Sequence, residues 1–343
     1  MRRLSIPAII ILVIYPLISS DCSAQDWDPI AFIDGVLEGS ERHLENYAFD
    51  PQSDLLARVK EPTDHFINYI QQAEGRQYTP YFPSDEEMQQ IAIAFELLPP
   101  LHRKILRERL VELCFLQDFS SSGWTDWLID NQGDIYCAMA LKRSTLETSL
   151  NEWLTSRAGT CFFPDSSGLD LCIDVGTGYT GFLGILLHET THIVDYVLNI
   201  TPFVEPSTYA LAVKQEREFP ESYPFVENIW EGPYAPLAEA DLALGDSITF
   251  YGTAGGPKLG FSSAPELYTQ LTNSQFVSLY ASTNWADDLA ELALFYHLTE
   301  KLRQPYTVSI MQGNEVSTSF QPLDNPRVRK RLPLLEMFYS LDQ

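Results

Sequence analysis

A His-Glu-x-x-His motif is the part of this sequence best suited to chemistry. His188 and His192 lie four positions apart in an apolar segment, and Glu189 follows the first histidine. Residues four apart stand on one face of an α-helix, so both imidazoles can reach one Zn²⁺ ion. Zinc lowers the pKa of water to near neutrality, and Glu189 can accept the proton and pass it to a leaving amine. The motif predicts zinc-dependent hydrolysis; the competing interpretation is two solvated or core-packed histidines.

A catalytic zinc needs a third protein ligand and an open fourth position. Glu291 is the strongest candidate, because it lies in a predicted helix with a buried apolar side, where an unpaired acid is costly. Glu216 and Glu218 lie closer to the motif, but Pro220 interrupts any helix there. For Glu291 the alternative interpretation is a solvated glutamate in an acidic helix start.

Further polar residues are candidates to support the site. Asp195 lies three positions after the second histidine of the motif, and Asp288 lies three before Glu291. Each is a candidate to orient a metal ligand, with a helix-surface aspartate as the alternative. Hydrolysis also needs a donor to the developing oxyanion, for which Tyr280 is the first choice and His297 the second.

Two predicted helices must hold these residues. A glycine-rich turn leads into an apolar, proline-free stretch over Phe182–Leu198, which predicts a buried helix around the motif. A second helix is predicted from Asn284 to about Arg303, with Asn284 as its N-cap and Asp287 in its first turn. Residues 201–283, between the two helices, have weak periodicity and predict an irregular insertion.

The rest of the chain predicts an α+β fold with a mainly helical region over residues 25–130. Ser84 and Glu87 have the spacing of a capping box, and an apolar stripe through Leu106, Leu110 and Leu113 predicts a further helix. Residues 131–343 are predicted to form the catalytic domain. Its expected elements are strands at Ile135–Leu141 and Leu169–Val175, a helix at Leu146–Arg157, a hairpin within Tyr306–Phe320 and a final helix at about Pro326–Ser340.

The beginning of the chain predicts export. Residues 1–24 show the order of a secretory signal peptide: two arginines, an apolar stretch and small residues up to Ala24. The apolar stretch is shorter than the roughly 20 residues of a membrane span. We therefore expect a secreted or periplasmic protein without stable membrane insertion after cleavage.

Four cysteines follow the predicted signal peptide. In an oxidising compartment an even number favours disulfides. A turn-forming sequence between Cys161 and Cys172 favours that pair, which leaves Cys114 with Cys137.

The composition argues against polyanionic partners. The chain has 22 Lys and Arg against 47 Asp and Glu, a formal net charge of −25. This charge repels phosphate backbones and anionic headgroups, so nucleic acid and acidic membrane surfaces are poor partners. The expected partner, a peptide or protein substrate, follows from the zinc motif.

Two short segments resemble the gluzincin metallopeptidases, and within them the branch of the anthrax lethal-factor catalytic domain. In that branch an apolar-Ala-Glu helix supplies the last zinc ligand. The resemblance implies a zincin-like fold, Glu291 as a ligand beside both motif histidines, Glu189 as general base and Asp195 as a supporting carboxylate. It covers about thirty residues: His188-Glu189-x-x-His192-x-x-Asp195 and, about 100 positions later, Asp288-Leu289-Ala290-Glu291.

The sequence thus predicts an exported zinc metallopeptidase with a zincin-like catalytic domain. Three alternative functions are compatible with the same sequence. The chain could be a zincin-fold binding protein without turnover, an amidase that acts on a cell-wall polymer, or a metal-free structural domain.

Overall fold

The computed structural model describes residues 28–38 and 41–340 of the chain, so the predicted signal peptide lies outside it. The fold is α+β, as predicted. Over the described residues, each helix falls short of a bilayer-spanning segment in length or in apolar content. The α-helices are α1 (Pro29–Leu37), α2 (Asp64–Glu74), α3 (Asp85–Leu97), α4 (Pro100–Arg109), α5 (Leu150–Gly159), α6 (Gly181–Leu198), α7 (Pro206–Lys214), α8 (Ala264–Leu271), α9 (Trp285–Tyr296) and α10 (Pro326–Arg329).

The strands form small sheets, the largest with the order β1-β2-β4-β3. In it β2 and β4 are parallel, whereas β1 and β3 are antiparallel to their neighbours. A second sheet has the antiparallel order β11-β10-β6, and β5 pairs with β9 and β7 with β8. The strands are β1 (Pro80–Tyr81), β2 (Leu110–Leu116), β3 (Gly123–Ile129), β4 (Ile135–Lys142), β5 (Phe162–Phe163), β6 (Leu169–Asp174), β7 (Trp230–Gly232), β8 (Ala235–Pro236), β9 (Leu259–Gly260), β10 (Thr307–Gln312) and β11 (Glu315–Phe320).

The larger sheet separates two apolar clusters. On one face, Phe115 of β2 meets Phe182 of α6, with ring centroids 5.8 Å apart, within the main core. On the other face, residues of β2 and β4 pack against Phe66 and Ile70 of α2. Because both faces of β2 and β4 are covered, these strands are apolar at nearly every position. The helix that carries the His-Glu-x-x-His motif therefore lies directly on the sheet.

The prediction of a helix through Leu106, Leu110 and Leu113 is wrong beyond Arg109. Helix α4 ends at Arg109, and Leu110 begins the strand β2. A continuous apolar run fits a buried helix and a strand buried on both faces equally well, and long-range pairing with β1 and β4 decides between them. Strand β3 was also not predicted. The expected domain boundary near residue 130 lies in the turn that joins the paired strands β3 and β4.

Several local predictions are confirmed. The capping box at Ser84 and Glu87 begins α3, and Asn284 caps α9 by accepting a hydrogen bond from the Asp287 N–H. The hairpin is β10–β11, and the predicted strands are β4 and β6. The second site helix is α-helical to Tyr296 and continues as a π-helical turn, and the segment predicted as a final helix is α10 followed by a 3₁₀ helix. The region 201–283 contains α7, α8 and three short strands.

The predicted disulfides are wrong, since all four cysteines of the described chain are free. Cys114 and Cys137 lie on adjacent strands but in the apolar clusters of opposite sheet faces. Cys161 is buried in the core, whereas Cys172 is exposed on β6. The turn between them does not make a hairpin, because β5 pairs with β9 and β6 pairs with β10. A disulfide requires Cβ atoms that approach each other, which neither arrangement provides.

Candidate metal centre

Helix α6 is the central element of the site and is buried from Gly181 to Asp195. Its first turns pack closely on α5: a Cβ atom at Gly184 would lie 2.6 Å from Leu150 Cδ1 and 2.8 Å from Trp153 Cζ3. Only glycine permits this approach of the two helices, which explains the glycines in an otherwise apolar helix. The glycine-rich entrance to α6 is therefore used for turning and close packing.

His188 and His192 of α6 meet Asp287 of α9. The two histidine Nε2 atoms are 3.1 Å apart. Asp287 Oδ1 lies 3.3 Å from each of them. All three side chains are buried, and together they could hold a metal ion. The sequence analysis placed Asp287 only in the first turn of its helix, so the structure adds a donor that was not predicted.

The spacing of these donors fits a tetrahedral metal. Zinc bound to nitrogen and oxygen at about 2.0–2.2 Å places neighbouring donors about 3.3 Å apart. Asp287 Oδ1 has no hydrogen-bond partner in the described chain despite its closeness to both rings. Two imidazole nitrogens and one carboxylate oxygen at this mutual spacing form a group that could hold one cation.

Glu291 contacts the other side of the His188 ring. Its Oε1 lies 3.0 Å from His188 Nδ1, while its Oε2 accepts hydrogen bonds from Arg157 Nη2 at 2.6 Å and Ser278 Oγ at 2.7 Å. Glu291 is thus outside the His188-His192-Asp287 group. A carboxylate on Nδ1 can hold a proton there, so Nε2 is the atom that a neutral His188 ring would offer to a metal.

The charges of this cluster are strongly coupled. Burial disfavours the charged His188 ring, but Asp287 and Glu291 outweigh it and raise the pKa of His188 to about 9. Burial also opposes ionisation of the two carboxylates. The histidines nevertheless hold the pKa of Asp287 well below its usual value, and Arg157 together with His188 lowers that of Glu291. Both carboxylates are therefore ionised at neutral pH, and His188 carries a proton that a metal ion must displace in order to bind.

Glu189 turns away from these donors toward the edge strand β3. Its Oε2 accepts a hydrogen bond of 2.6 Å from Thr125 Oγ1. Its Oε1 is buried and has no hydrogen-bond partner in the described chain. A Cβ atom at Gly123 would lie 3.0 Å from that oxygen, so the glycine leaves room beside it. A fully buried carboxylate with one free oxygen is ready to accept a proton.

Of the two predicted oxyanion donors, Tyr280 lies at the site and His297 does not. The Tyr280 ring centroid is 5.6 Å from that of His188, and the Arg157 guanidinium lies 4.8 Å from the tyrosine ring. Burial raises the pKa of Tyr280 well above its usual value, so the phenol keeps its proton. His297 instead contacts the Tyr339 hydroxyl, 2.8 Å from its Nδ1.

The other predicted acidic residues have different partners. Asp195 accepts hydrogen bonds from the backbone N–H and the hydroxyl of Thr201, and so fixes the chain beyond α6. Asp288 forms a buried ion pair with Arg331. Glu216 and Glu218 are exposed after the end of α7.

Three residues of the site were missed in the sequence. Asp287 is four positions before Glu291, so the two share a helix face, and this spacing could have identified it. Arg157 and Thr125 carry no such local signal, because they reach Glu291 and Glu189 from elements more than 60 positions away in sequence.

Comparison of the chain with protein-family models, with curated proteins and with solved structures yields no match.

Proposed function

We propose that this chain is an exported zinc-dependent metallopeptidase with a zincin-like fold. The observation that carries the proposal is the spacing of two imidazole nitrogens and one carboxylate oxygen, which fits a tetrahedral metal, on a helix that also carries the buried Glu189. In this assignment His188, His192 and Asp287 bind the metal. Glu291, rather than serving as the third ligand, orients His188. The signal-peptide pattern supports export.

Several residues of the chain have separate roles in the proposed hydrolysis. When bound, zinc supplies Lewis acidity, which polarises a carbonyl oxygen and lowers the pKa of water. Glu189 takes the water proton on its free Oε1, while the Thr125 hydroxyl holds Oε2 in place, and it then delivers the proton to the leaving amine. The protonated Tyr280 phenol donates to the developing oxyanion. Arg157 keeps Glu291 ionised and aligned on His188.

Metal content and cleavage of a mixed peptide library test this function together. We expect one zinc per chain in the wild-type protein, chelator-sensitive peptide cleavage, and loss of both in His192→Ala. Full zinc without cleavage of any peptide or cell-wall amide would leave a binding protein. Cleavage of cell-wall amides alone would identify an amidase, and a protein free of metal would refute the assignment.

The variant Glu189→Gln tests the role of the general base independently of the metal ligands. The amide keeps the size of the side chain but cannot accept a proton, so turnover should fall by about 10²–10⁴-fold. Zinc content should stay at the wild-type value, because Glu189 lies outside the donor group. Undiminished turnover would remove Glu189 from the role of base.

A further inference from the structure

A cavity of about 370 Å³ lies away from the metal donors, between the C-terminal helical segment and the chain around residues 224–229. Three cationic residues from α10 and the turn after it line the cavity: Arg327, Lys330 and Arg331. Glu227 is the one acidic residue among its lining residues. Pockets of this size accommodate small organic ligands.

The positive charge of this cavity contrasts with the net charge of −25 over the chain. Arg327 and Lys330 are exposed, and neither forms a salt bridge with any residue that the structure describes. The nearest partner of Arg327 is the Glu239 carbonyl oxygen, 3.5 Å from Nη1. Two cations close together without carboxylate partners repel each other, and a bound anion relieves that repulsion.

Arg331 adds a fixed and buried donor. Its Nη1 and Nη2 donate to the two Asp288 oxygens at 3.0 and 2.6 Å, and Nη1 also donates to the Gln275 carbonyl at 2.8 Å. The guanidinium carbon lies 4.3 Å from the Phe225 ring centroid. Its Nε is buried without a hydrogen-bond partner in the described chain. Arg331 thus places a fixed positive charge in the wall of the cavity.

We propose that the cavity binds a small organic anion through a carboxylate or phosphate group. Arg327 and Lys330 contact the anionic group, Arg331 adds its positive charge from the cavity wall, and Ile229 and Leu334 form an apolar wall for the rest of the ligand. The site is independent of the proposed hydrolysis, because its residues do not belong to the metal group.

The fold provides a reporter for this site. Asp288, which holds Arg331, also accepts a hydrogen bond of 3.0 Å from the indole N–H of Trp230. An anion that engages Arg331 changes the electrostatic environment of this indole. The indole ¹H–¹⁵N resonance of Trp230, assigned with the variant Trp230→Phe, can therefore follow binding without any measurement of catalysis.

The test titrates inorganic phosphate and, separately, succinate into the full mature chain at constant ionic strength. We expect the Trp230 resonance to shift and saturate with at least one probe, and the probe that binds tighter identifies the phosphate or the carboxylate source. In Arg327→Gln/Lys330→Gln the affinity should fall by roughly tenfold or more, because two charged donors are lost.

A matched control removes the same two charges elsewhere. Lys104→Gln/Arg107→Gln changes exposed residues of α4 and should bind the probe as the wild-type protein does. The proposal is overturned if the resonance moves linearly without saturation for both probes, or if the two double variants weaken binding equally. Neither outcome depends on zinc or on peptide cleavage.

Discussion

Two neighbouring aspartates of α9 show how differently a buried carboxylate can be used. Asp288 is held by both terminal nitrogens of Arg331 and by the Trp230 indole, so its charge is matched by protein groups alone. Asp287 is turned by about 100° around the helix and faces two imidazoles that do not hydrogen bond to its Oδ1. Arg331 accounts for the charge of Asp288, whereas Asp287 belongs to a group of three side chains that could hold a metal ion.

The two aspartates illustrate two reasons why a carboxylate is buried: to form an ion pair within the fold, or to be available to a ligand. A buried ion pair in which both carboxylate oxygens accept hydrogen bonds from the cation is accounted for by folding alone. The Asp287 carboxylate is kept ionised by two imidazoles that can themselves bind a metal ion, so burial here leaves donors that a cation could share. The side of α9 that faces α6 therefore carries the group that could hold a metal ion.

The largest expected effect comes from breaking the buried ion pair between Asp288 and Arg331. Asp288→Asn leaves the Arg331 charge buried without its partner, and removing one member of a buried pair costs about 3–5 kcal/mol. Urea denaturation in the presence of a chelator should show this loss in the free energy of unfolding. Zinc affinity of the folded variant should stay close to that of the wild-type protein. A large loss of zinc affinity would contradict the division between the two aspartates.

The complementary change, Asp287→Asn, should act on the metal. An amide is a weaker ligand than a carboxylate, so zinc affinity should fall by more than the roughly 10–100-fold that loss of a ligand's supporting partner costs. Competition with a fluorescent zinc chelator measures the affinity. Unchanged zinc binding would show that Asp287 is not a ligand.

Glu291→Gln distinguishes a supporting carboxylate from a ligand. It weakens the hydrogen bond to His188 Nδ1 without touching the donor group, so zinc affinity should fall by about 10–100-fold. Ser278→Ala, which removes only one hydrogen bond to the Glu291 carboxylate, is the milder control. A loss equal to that of Asp287→Asn would restore Glu291 as the third ligand. Circular dichroism must show that each variant is folded.

A third buried carboxylate sharpens the comparison, since Glu205 has neither a complete partner set nor converging imidazoles. Burial and the nearby Asp126 raise its pKa to about 7, although Arg42 and Ser207 oppose the shift. Because the folded pKa exceeds the unfolded one, the charged form destabilises the protein above pH 7, and this penalty disappears as the pH falls below 4.5.

Glu205→Gln should therefore stabilise the protein at pH 8 by on the order of 1–3 kcal/mol, and the gain should shrink toward pH 5. Denaturation curves at both pH values measure it. The exposed Glu221→Gln is the control and should change stability little at either pH. A gain that is the same at both pH values would show that the charge of Glu205 is not its cause.

The sequence predicted those parts of the site that depend on local chemistry. The motif spacing placed His188 and His192 on one helix, and Asn284 set the start of α9, because helix periodicity and capping involve only nearby residues. The choice between Asp287 and Glu291 could not be made in this way. Both lie on the same face of α9, and only the position of α6 decides which carboxylate reaches Nε2 and which reaches Nδ1.

The same limit explains the errors in the fold. Helix and strand could not be separated at Leu110, and the cysteines could not be paired, because both depend on which distant strands become neighbours. The amino-acid sequence by itself determined the residue types of the His-Glu-x-x-His motif, their helical spacing and the acidic character of the chain. The tertiary structure alone brought Asp287, Arg157 and Thr125 to those residues. Contacts between remote segments follow from the packing of the whole core, which no local pattern records.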